Sequence, residues 1–344
     1  MKDRSLRVDR RPLLDTAVDA DLFVGRAAEL ARLRRAVELG LNAVVTGPAG
    51  MGTTSLLRHL AWRLRGEGVE PVQVSAADVE DAAGLLRKLL GRLAGEEAVA
   101  VAMVASLDAS ALVDRIAGIL TGRTVVLVDD LPVDVGRAVF GALRDEVWRL
   151  AVTWIVGVPE SAAAGVLRPP VDVFFEVVVE LGPLSDGPAR KLLRRRGLEL
   201  AKPDAVTVTE LGDGVPRRIV DLARALVLDG RTLDDLRTER VTRADRLNRV
   251  SEPAAALAAA LEQLGSAGPS DTTLQARLGV SRPRLVTLFR ELLDAGIVHE
   301  LPPDRTAPGP GRPRSRYALE PAADAGGPAP RNVGGVREAA SDDY

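Results

Sequence analysis

Three short runs of this sequence are apolar at nearly every position, and helical stretches separate them. The runs cover residues 124–128, 153–158 and 175–181, and two shorter β-type runs cover residues 43–46 and 71–75. A strand that is apolar on both faces has to be covered on both faces, which is the situation in a parallel sheet flanked by helices. The pattern therefore predicts a doubly wound α/β domain.

Composition limits the kind of protein further. The chain has 344 residues, more than one core of ordinary size can organise, so we expect two or three domains. It has no cysteine and only two histidines, which argues against disulfides and against thiolate or histidine-rich metal sites. No apolar run reaches the ~20 residues that span a bilayer. The N-terminus lacks the apolar core of a signal peptide, so we expect a cytoplasmic protein without a membrane partner.

A glycine-rich turn at residues 47–55 follows the β-type run at residues 43–46 and matches the Walker A pattern at all but one position. Its glycines allow backbone N–H groups to surround an anion at the start of a helix, where the helix dipole also favours phosphate. Thr54 stands where a hydroxyl would coordinate Mg²⁺, but Thr53 replaces the usual lysine. We predict that ATP or ADP binds here, although a glycine-rich turn without a ligand stays open as an alternative. The predicted contacts are Gly47, Gly50, Gly52, Thr53, Thr54 and Ser55.

Two carboxylates end the apolar run at residues 124–128. Asp129 and Asp130 then lie at the carboxyl end of a buried strand, where ligands bind in sheets of this kind. This is the Walker B pattern, in which Asp129 would hold Mg²⁺ through water and Asp130 would orient the attacking water. A strand-end turn explains one acid, but two acids favour the metal site.

Several segments together resemble the AAA+ and STAND-type ATPases, most closely the replication-initiator ATPases of the origin recognition complex group. The sequence Phe-Val-Gly-Arg at residues 23–26 is similar to the family's N-terminal signature, and residues 214–217 are similar to its sensor 2 motif. The resemblance covers about residues 20–230. It implies that Val24, Gly25 and Arg26 lie beside the adenine and that Arg217 reaches the γ-phosphate. The alternative for Arg217 is a solvated arginine at a helix start.

Two departures from the family pattern argue against efficient hydrolysis. Thr53 cannot supply the positive charge that a lysine gives to the β- and γ-phosphates. The run at residues 153–158 ends in Gly157 and Val158, where the family has a polar sensor 1 residue. We therefore expect nucleotide binding that is weak or dependent on Mg²⁺, with slow or absent turnover.

The C-terminal part of the sequence predicts a winged helix-turn-helix. Two helices joined by a turn containing Gly279 are followed by two β-type runs, and the loop between the runs is rich in arginine and proline. Arginines in such positions suit phosphate and groove contacts, so we predict binding to duplex DNA; docking to a protein stays open. The predicted DNA contacts are Arg282, Arg284, Thr287, Arg290, Arg312, Arg314 and Arg316.

The predicted organisation has five parts. These are an extended segment (residues 1–20), a P-loop NTPase domain (21–183), a helical lid and linker (184–249), the winged helix-turn-helix (250–320) and a disordered tail (321–344). The leading hypothesis is a nucleotide-responsive DNA-binding regulator. An active ATPase of the initiator, stress or defence type stays open, as does a scaffold with a degenerate ATPase fold. The sequence leaves homo-oligomerisation and a protein partner undecided.

Overall fold

The computed structural model describes residues 6–94, 106–302 and 315–320. The chain divides into two compact units, Met1–Arg237 and Thr238–Tyr344. Among the helices in the described ranges, none combines the length and apolar character needed to cross a membrane.

The first unit contains a five-stranded parallel sheet. Its strands are β1 (Ala43–Gly47), β2 (Val72–Ser75), β3 (Thr124–Asp129), β4 (Val152–Pro159) and β5 (Val177–Glu180). They lie in the order β2-β3-β4-β1-β5. Since β4 lies between β1 and β3, the carboxyl ends of these three strands are neighbours at one edge of the sheet.

Apolar clusters lie on both faces of this sheet. Along β3, Val125 and Leu127 belong to one cluster, whereas Val126 and Val128 belong to the other. The surrounding helices are α1 (Ala17–Ala20), α2 (Ala27–Leu39), α3 (Thr53–Gly66), α4 (Ala82–Ala94), α5 (Ala109–Ile119), α6 (Val133–Arg137), α7 (Arg144–Val147) and α8 (Glu160–Val166), with a π-helical segment at Ala138–Ala142. A sheet buried on both sides confirms the predicted doubly wound α/β domain.

Three further helices of the first unit lie within residues 184–249, the predicted lid and linker, and we call these three helices the lid. They are α9 (Asp186–Arg195), α10 (Lys202–Leu211) and α11 (Pro216–Leu228). Their apolar faces share a cluster that also contains Val8 and Val24 from the N-terminal part of the chain. The next helix, α12 (Leu233–Leu247), contains the boundary between the two units.

The segment before residue 21 differs from its sequence-based description. We predicted an extended segment, but Ala17–Ala20 form the short helix α1, and Thr16 caps it by accepting a hydrogen bond from Asp19 N. Val8 and Leu13 are buried, so this part of the chain packs against the rest of the first unit.

The second unit contains three helices and a three-stranded antiparallel sheet. Its elements are α13 (Glu252–Leu264), β6 (Ser266–Ala267), α14 (Thr272–Leu278), α15 (Arg282–Asp294), β7 (Val298–Glu300) and β8 (Tyr317–Leu319), and the sheet order is β6-β8-β7. This is the order expected of a winged helix-turn-helix, with β6 as a strand that we did not predict. The predicted wing at residues 303–314 and the tail at 321–344 lie outside the described residues.

Candidate functional site

The glycine-rich turn joins β1 to α3 at the carboxyl edge of the sheet. Gly50 and Gly52 have φ angles of +88° and +96°, a backbone conformation that a residue with a Cβ rarely adopts. A Cβ built on Gly52 would meet no atom within 4 Å, so the backbone at Gly52 faces open space. The first N–H groups of α3 have no acceptor within the helix and lie at this same place. The turn thus offers unpaired backbone donors beside an open volume.

The carbonyl groups of the turn are engaged elsewhere. Four of them accept hydrogen bonds from protein donors: Pro48 O from Met51 N (3.1 Å), Gly50 O from Arg217 N (3.3 Å), Met51 O from Arg26 Nη2 (3.2 Å) and Gly52 O from Leu56 N (2.8 Å). The side chain of Met51 is buried in the apolar cluster beneath the turn, so it does not fill the open volume. This arrangement leaves N–H groups rather than carbonyls facing outward, which favours an anion.

Thr54 and Asp129 come together as the two sequence patterns predict. The Thr54 hydroxyl donates a hydrogen bond to the Asp129 carboxylate. Burial and, to a lesser extent, the neighbouring Asp130 carboxylate raise the pKa of Asp129 to about 6, although the Thr54 hydrogen bond acts in the opposite direction. A hydroxyl and a half-buried carboxylate are oxygen ligands of the type that Mg²⁺ prefers. The two side chains therefore fit a magnesium ion.

Asp130 lies on the turn directly after β3. Its φ angle of +56° places it in the left-handed region, and its backbone N–H donates to Asp129 Oδ1 at 3.1 Å. The side chain of Asp130 is exposed at the same edge of the sheet. The exposed Asp130 carboxylate thus lies next to Asp129 at this edge, and its role in orienting a water molecule stays a prediction.

Gly157 on β4 lies between the glycine-rich turn and Asp129, where there is no room for a side chain. A Cβ at Gly157 would lie 3.1 Å from Thr53 Cγ2, 3.0 Å from Asp129 Oδ1 and 2.9 Å from Leu57 Cδ1. Because β4 lies between β1 and β3, a side chain at this position would push against both motifs. Thr53, which replaces the lysine, and Gly157, which lies where the family has a polar sensor 1 residue, are therefore neighbours in space. The methyl group of Thr53 packs against the backbone of Gly157.

The lid reaches the turn through the first residues of α11. A Cβ on Gly50 would lie 3.0 Å from Arg217 Cβ and 3.1 Å from Val215 Cγ1, and Val215 is buried in the cluster beneath the turn. The Arg217 side chain itself is exposed. The N-termini of α3 and α11 thus meet at Gly50, with the Arg217 cation beside the turn.

The comparison with solved structures agrees with this architecture. A Walker-type ATPase of Pyrococcus abyssi matches 91% of this chain and 97% of its own length, with a TM-score of 0.52 and 14% sequence identity. The chain has the fold of a Walker-type ATPase. The ORC1 protein of Aeropyrum pernix, solved in complex with DNA, is similar over 87% of this chain and 90% of its own, at 19% identity and a TM-score of 0.48. The RuvB Holliday junction branch migration motor of Thermotoga maritima is similar over 85% and 93%, at 19% identity and a TM-score of 0.45.

Comparison by sequence identifies no relative of this chain. No protein-family model matches the chain, and no curated protein matches it. At identities below 25%, the structural likeness concerns the fold.

The Phe-Val-Gly-Arg segment connects the ATPase core to the lid. Val24 is buried in the apolar cluster of the lid, and a Cβ on Gly25 would lie 3.1 Å from Leu184 Cδ2. Phe23 stacks on His59 of α3 with ring centroids 4.1 Å apart. Arg26 turns toward the glycine-rich turn, as described above. The predicted role of Val24, Gly25 and Arg26 at the adenine stays a prediction.

Ser55 is engaged by a part of the chain that the sequence did not implicate. Its Oγ accepts a hydrogen bond from Leu13 N at 3.2 Å, so the hydroxyl faces the N-terminal segment, which we define as residues 6–20. That segment is also held by the lid, because Arg196 Nη1 donates to the carbonyls of Arg7 (3.1 Å) and Asp9 (3.2 Å). Further along, Asp15 pairs with Arg65 Nη1 at 2.6 Å. These contacts have no periodic or motif signal in the sequence.

In the second unit, the predicted DNA contacts of α15 lie on one solvent-facing side. Arg282, Arg284, Thr287 and Arg290 are all exposed, whereas Leu285, Leu288, Phe289 and Leu292 form the core. Glu291 is bound to the start of α13, accepting hydrogen bonds from Ser251 N (2.5 Å) and Ser251 Oγ (2.9 Å). Arg316 is exposed and donates to Ser266 Oγ at 2.7 Å. Arg312 and Arg314 lie outside the described residues.

Proposed function

We propose that the first unit binds ATP or ADP with Mg²⁺ and hydrolyses ATP slowly or not at all. We further propose that the second unit is a winged helix-turn-helix that binds duplex DNA, so that the chain acts as a nucleotide-responsive DNA-binding regulator. The observation that carries this proposal is the Thr54 hydroxyl on Asp129, beneath a turn whose bound carbonyls leave its N–H groups unpaired. These features support the proposal that the chain is related to the AAA+ and STAND-type ATPases.

The turn and the carboxylate divide the binding task between them. Backbone N–H groups of Gly50, Gly52 and Thr53 would take phosphate oxygens, with the dipole of α3 adding to the attraction. The Thr54 hydroxyl and Asp129 would hold Mg²⁺, which neutralises phosphate charge when it is bound. Arg217, exposed beside Gly50, would be the lid cation that reaches the terminal phosphate.

Slow turnover follows from the two neighbouring departures. Thr53 carries a hydroxyl but no positive charge, and Gly157 has no side chain with which to contact a transferring phosphoryl group. Stabilisation of the transition-state charge is the larger part of phosphoryl-transfer catalysis, and positioning a water by Asp130 does not replace it. A protein that holds ATP for a long time because it hydrolyses ATP slowly is better suited to act as a switch than as a motor.

Nucleotide binding is tested by isothermal titration of the full chain with MgATP and MgADP, repeated with EDTA. We expect binding in the micromolar to millimolar range that weakens when the metal is removed. The variant Thr54→Val keeps the shape of the side chain but removes the hydroxyl, so it should lose the metal-dependent part of the affinity. Thr242→Val, made on an exposed threonine of α12 outside both proposed binding sites, is the matched control and should bind like the parent. A parent chain that takes no nucleotide at millimolar concentration would refute this half of the proposal.

The arginines on the exposed side of α15 support the DNA-binding half. Each phosphate neutralised by an arginine releases a counterion, so affinity falls with salt in proportion to the number of contacts. An arginine that reaches a base in the major groove would instead donate two hydrogen bonds to guanine and so distinguish guanine from the other bases.

DNA binding is tested by fluorescence anisotropy with a pool of random-sequence duplexes over a series of salt concentrations. Replacing Arg284 or Arg290 by Ala should each lower the slope of log K against log salt by about one unit if the residue contacts a phosphate. Arg149→Ala removes the same charge from an exposed site in the first unit and should leave the slope unchanged. Binding without salt dependence, or no binding, would favour docking to a protein. Repeating the titration with MgATP tests whether nucleotide controls DNA affinity.

A further inference from the structure

Arg26 is a buried cation directly behind the glycine-rich turn. Only 7% of its side chain is exposed, although arginine is seldom buried to this extent without a partner. Its Nη1 donates to Glu29 Oε1 at 3.1 Å, and its Nη2 donates to Met51 O at 3.2 Å. The backbone of Arg26 has a φ angle of +62°, an unfavourable conformation for a residue with a side chain. Burying this charge and holding the backbone at this φ angle both cost free energy, which indicates that Arg26 has a specific role.

The contact with Met51 O fixes the direction of a donor in the turn. The Met51 carbonyl and the Gly52 N–H belong to one trans peptide plane, so they point in opposite directions. A guanidinium that holds the carbonyl on the protein side therefore holds the Gly52 N–H on the opposite side, where the backbone faces open space. Without that contact, the φ freedom of Gly52 would let the peptide rotate and turn a carbonyl toward the phosphates.

We propose that Arg26 is a positioning residue for the phosphate-binding turn and not a contact to the base. This proposal rests on the proposed nucleotide binding at the turn. Its guanidinium is already divided between Glu29 and Met51 and is almost fully enclosed, so it has little surface left for a ligand. The charge also strengthens the hydrogen bond to Met51 O and polarises the peptide whose N–H faces outward. A turn without the lysine depends all the more on correctly directed N–H groups.

The test separates phosphate binding from base binding by using two probes, inorganic pyrophosphate and MgATP. Arg26→Met keeps most of the packing but removes both donors. It should weaken pyrophosphate and MgATP by the same factor of about tenfold, the loss expected for one charge-assisted hydrogen bond. Arg26→Lys keeps one charged donor and should recover part of the loss. Arg32→Met, on an exposed arginine of helix α2, which begins directly after Arg26, is the control and should change neither affinity.

Amide hydrogen exchange of Gly52, measured by NMR in the ligand-free protein, provides a readout that does not depend on binding. Loss of the Arg26 contact should change the Gly52 exchange rate, while amides in the middle of α3 keep theirs. A variant that loses MgATP affinity but keeps pyrophosphate affinity would show that Arg26 contacts the base, and the inference would be wrong. Unchanged affinities together with an unchanged Gly52 rate would also overturn it. If the parent binds neither probe, the nucleotide proposal fails, and the Gly52 rate alone still decides whether Arg26 positions the turn.

Should Arg26→Met fail to fold, Glu29→Gln and Arg26→Lys carry the test. Glu29→Gln leaves the Met51 contact in place while removing the ion pair, so pyrophosphate affinity should fall by less than about threefold. An equal loss in Glu29→Gln and Arg26→Lys would assign the effect to the ion pair, and the positioning role would be refuted.

Discussion

The glycine-rich turn and the N-terminal segment meet on the same helix, yet only one of them is visible in the sequence. The turn leads into α3, whose second residue is Thr54. The N-terminal segment contacts the next residue, Ser55, because Leu13 N donates a hydrogen bond to Ser55 Oγ. A turn that must adopt positive φ angles needs glycine at fixed spacing, and this requirement leaves a pattern. The segment is held by side chains that bind its backbone, as Arg196 does with the carbonyls of Arg7 and Asp9. Any residue type offers a carbonyl, so no pattern results.

The largest effect is expected where the N-terminal segment meets the lid. Arg196→Met should lower the free energy of unfolding by about 3 kcal/mol, because two half-buried carbonyls lose a charged donor. Arg194→Met, on an exposed arginine of α9 two residues before Arg196, should cost less than about 0.5 kcal/mol. Denaturant unfolding measures both, and trypsin cleavage after Arg10 reports release of the segment, since the bond after Arg11 precedes Pro12 and resists trypsin. Equal stability of the two variants would mean that the segment does not depend on Arg196.

The next effect is expected in the turn itself. Thr53→Lys should tighten MgATP binding by about tenfold to a hundredfold, since it adds one charged hydrogen bond to phosphate. The open volume at Gly52 leaves room for the longer side chain, whereas the methyl group packed against Gly157 would be lost. Thr53→Met supplies similar length without the charge and should not tighten binding. If lysine fails to improve affinity in a folded variant, the N–H groups of the turn are not arranged around phosphate.

A smaller effect is expected from the charge of Asp129. In the unfolded chain its carboxyl has an ordinary pKa near 3.8, whereas burial and Asp130 raise the pKa to about 6 in the folded protein. The folded state therefore holds a proton that the unfolded state has lost between these values, and stability falls as the pH rises through this window. Asp129→Asn should remove that dependence and stabilise the metal-free protein at pH 7.5 by about 1–2 kcal/mol.

Unfolding curves of the parent and of Asp129→Asn, measured from pH 4 to pH 8 in EDTA, check this expectation. The same substitution should abolish the effect of Mg²⁺ on nucleotide binding, because the amide is a weaker ligand. Parallel stability profiles for the two proteins would show that Asp129 titrates normally. The metal-ligand assignment would then rest on the Thr54 contact alone.

The sheet and the two motifs could be predicted from the sequence because their causes are local. The run at residues 124–128 is apolar throughout since β3 is buried on both faces, and Asp129 follows it at the edge where the turn lies. The contact of Gly157 with Thr53 could not be predicted, since it depends on β4 lying between β1 and β3. Arg26 is a related case, because its sequence motif suggested the adenine and its side chain turns to Met51 O.

Ser55 offers the smallest and most direct test of the comparison, because the sequence assigns it to the turn and the structure connects it to the segment. Ser55→Ala removes the acceptor of Leu13 N, so we expect a loss of about 0.5–1.5 kcal/mol in the free energy of unfolding. Its hydroxyl is bound by Leu13 N, so MgATP affinity should change by less than about twofold. Ser55→Thr retains the hydroxyl and should restore stability. Unchanged stability with reduced MgATP affinity would return Ser55 to the phosphate site, and α3 would then no longer be shared between the two regions.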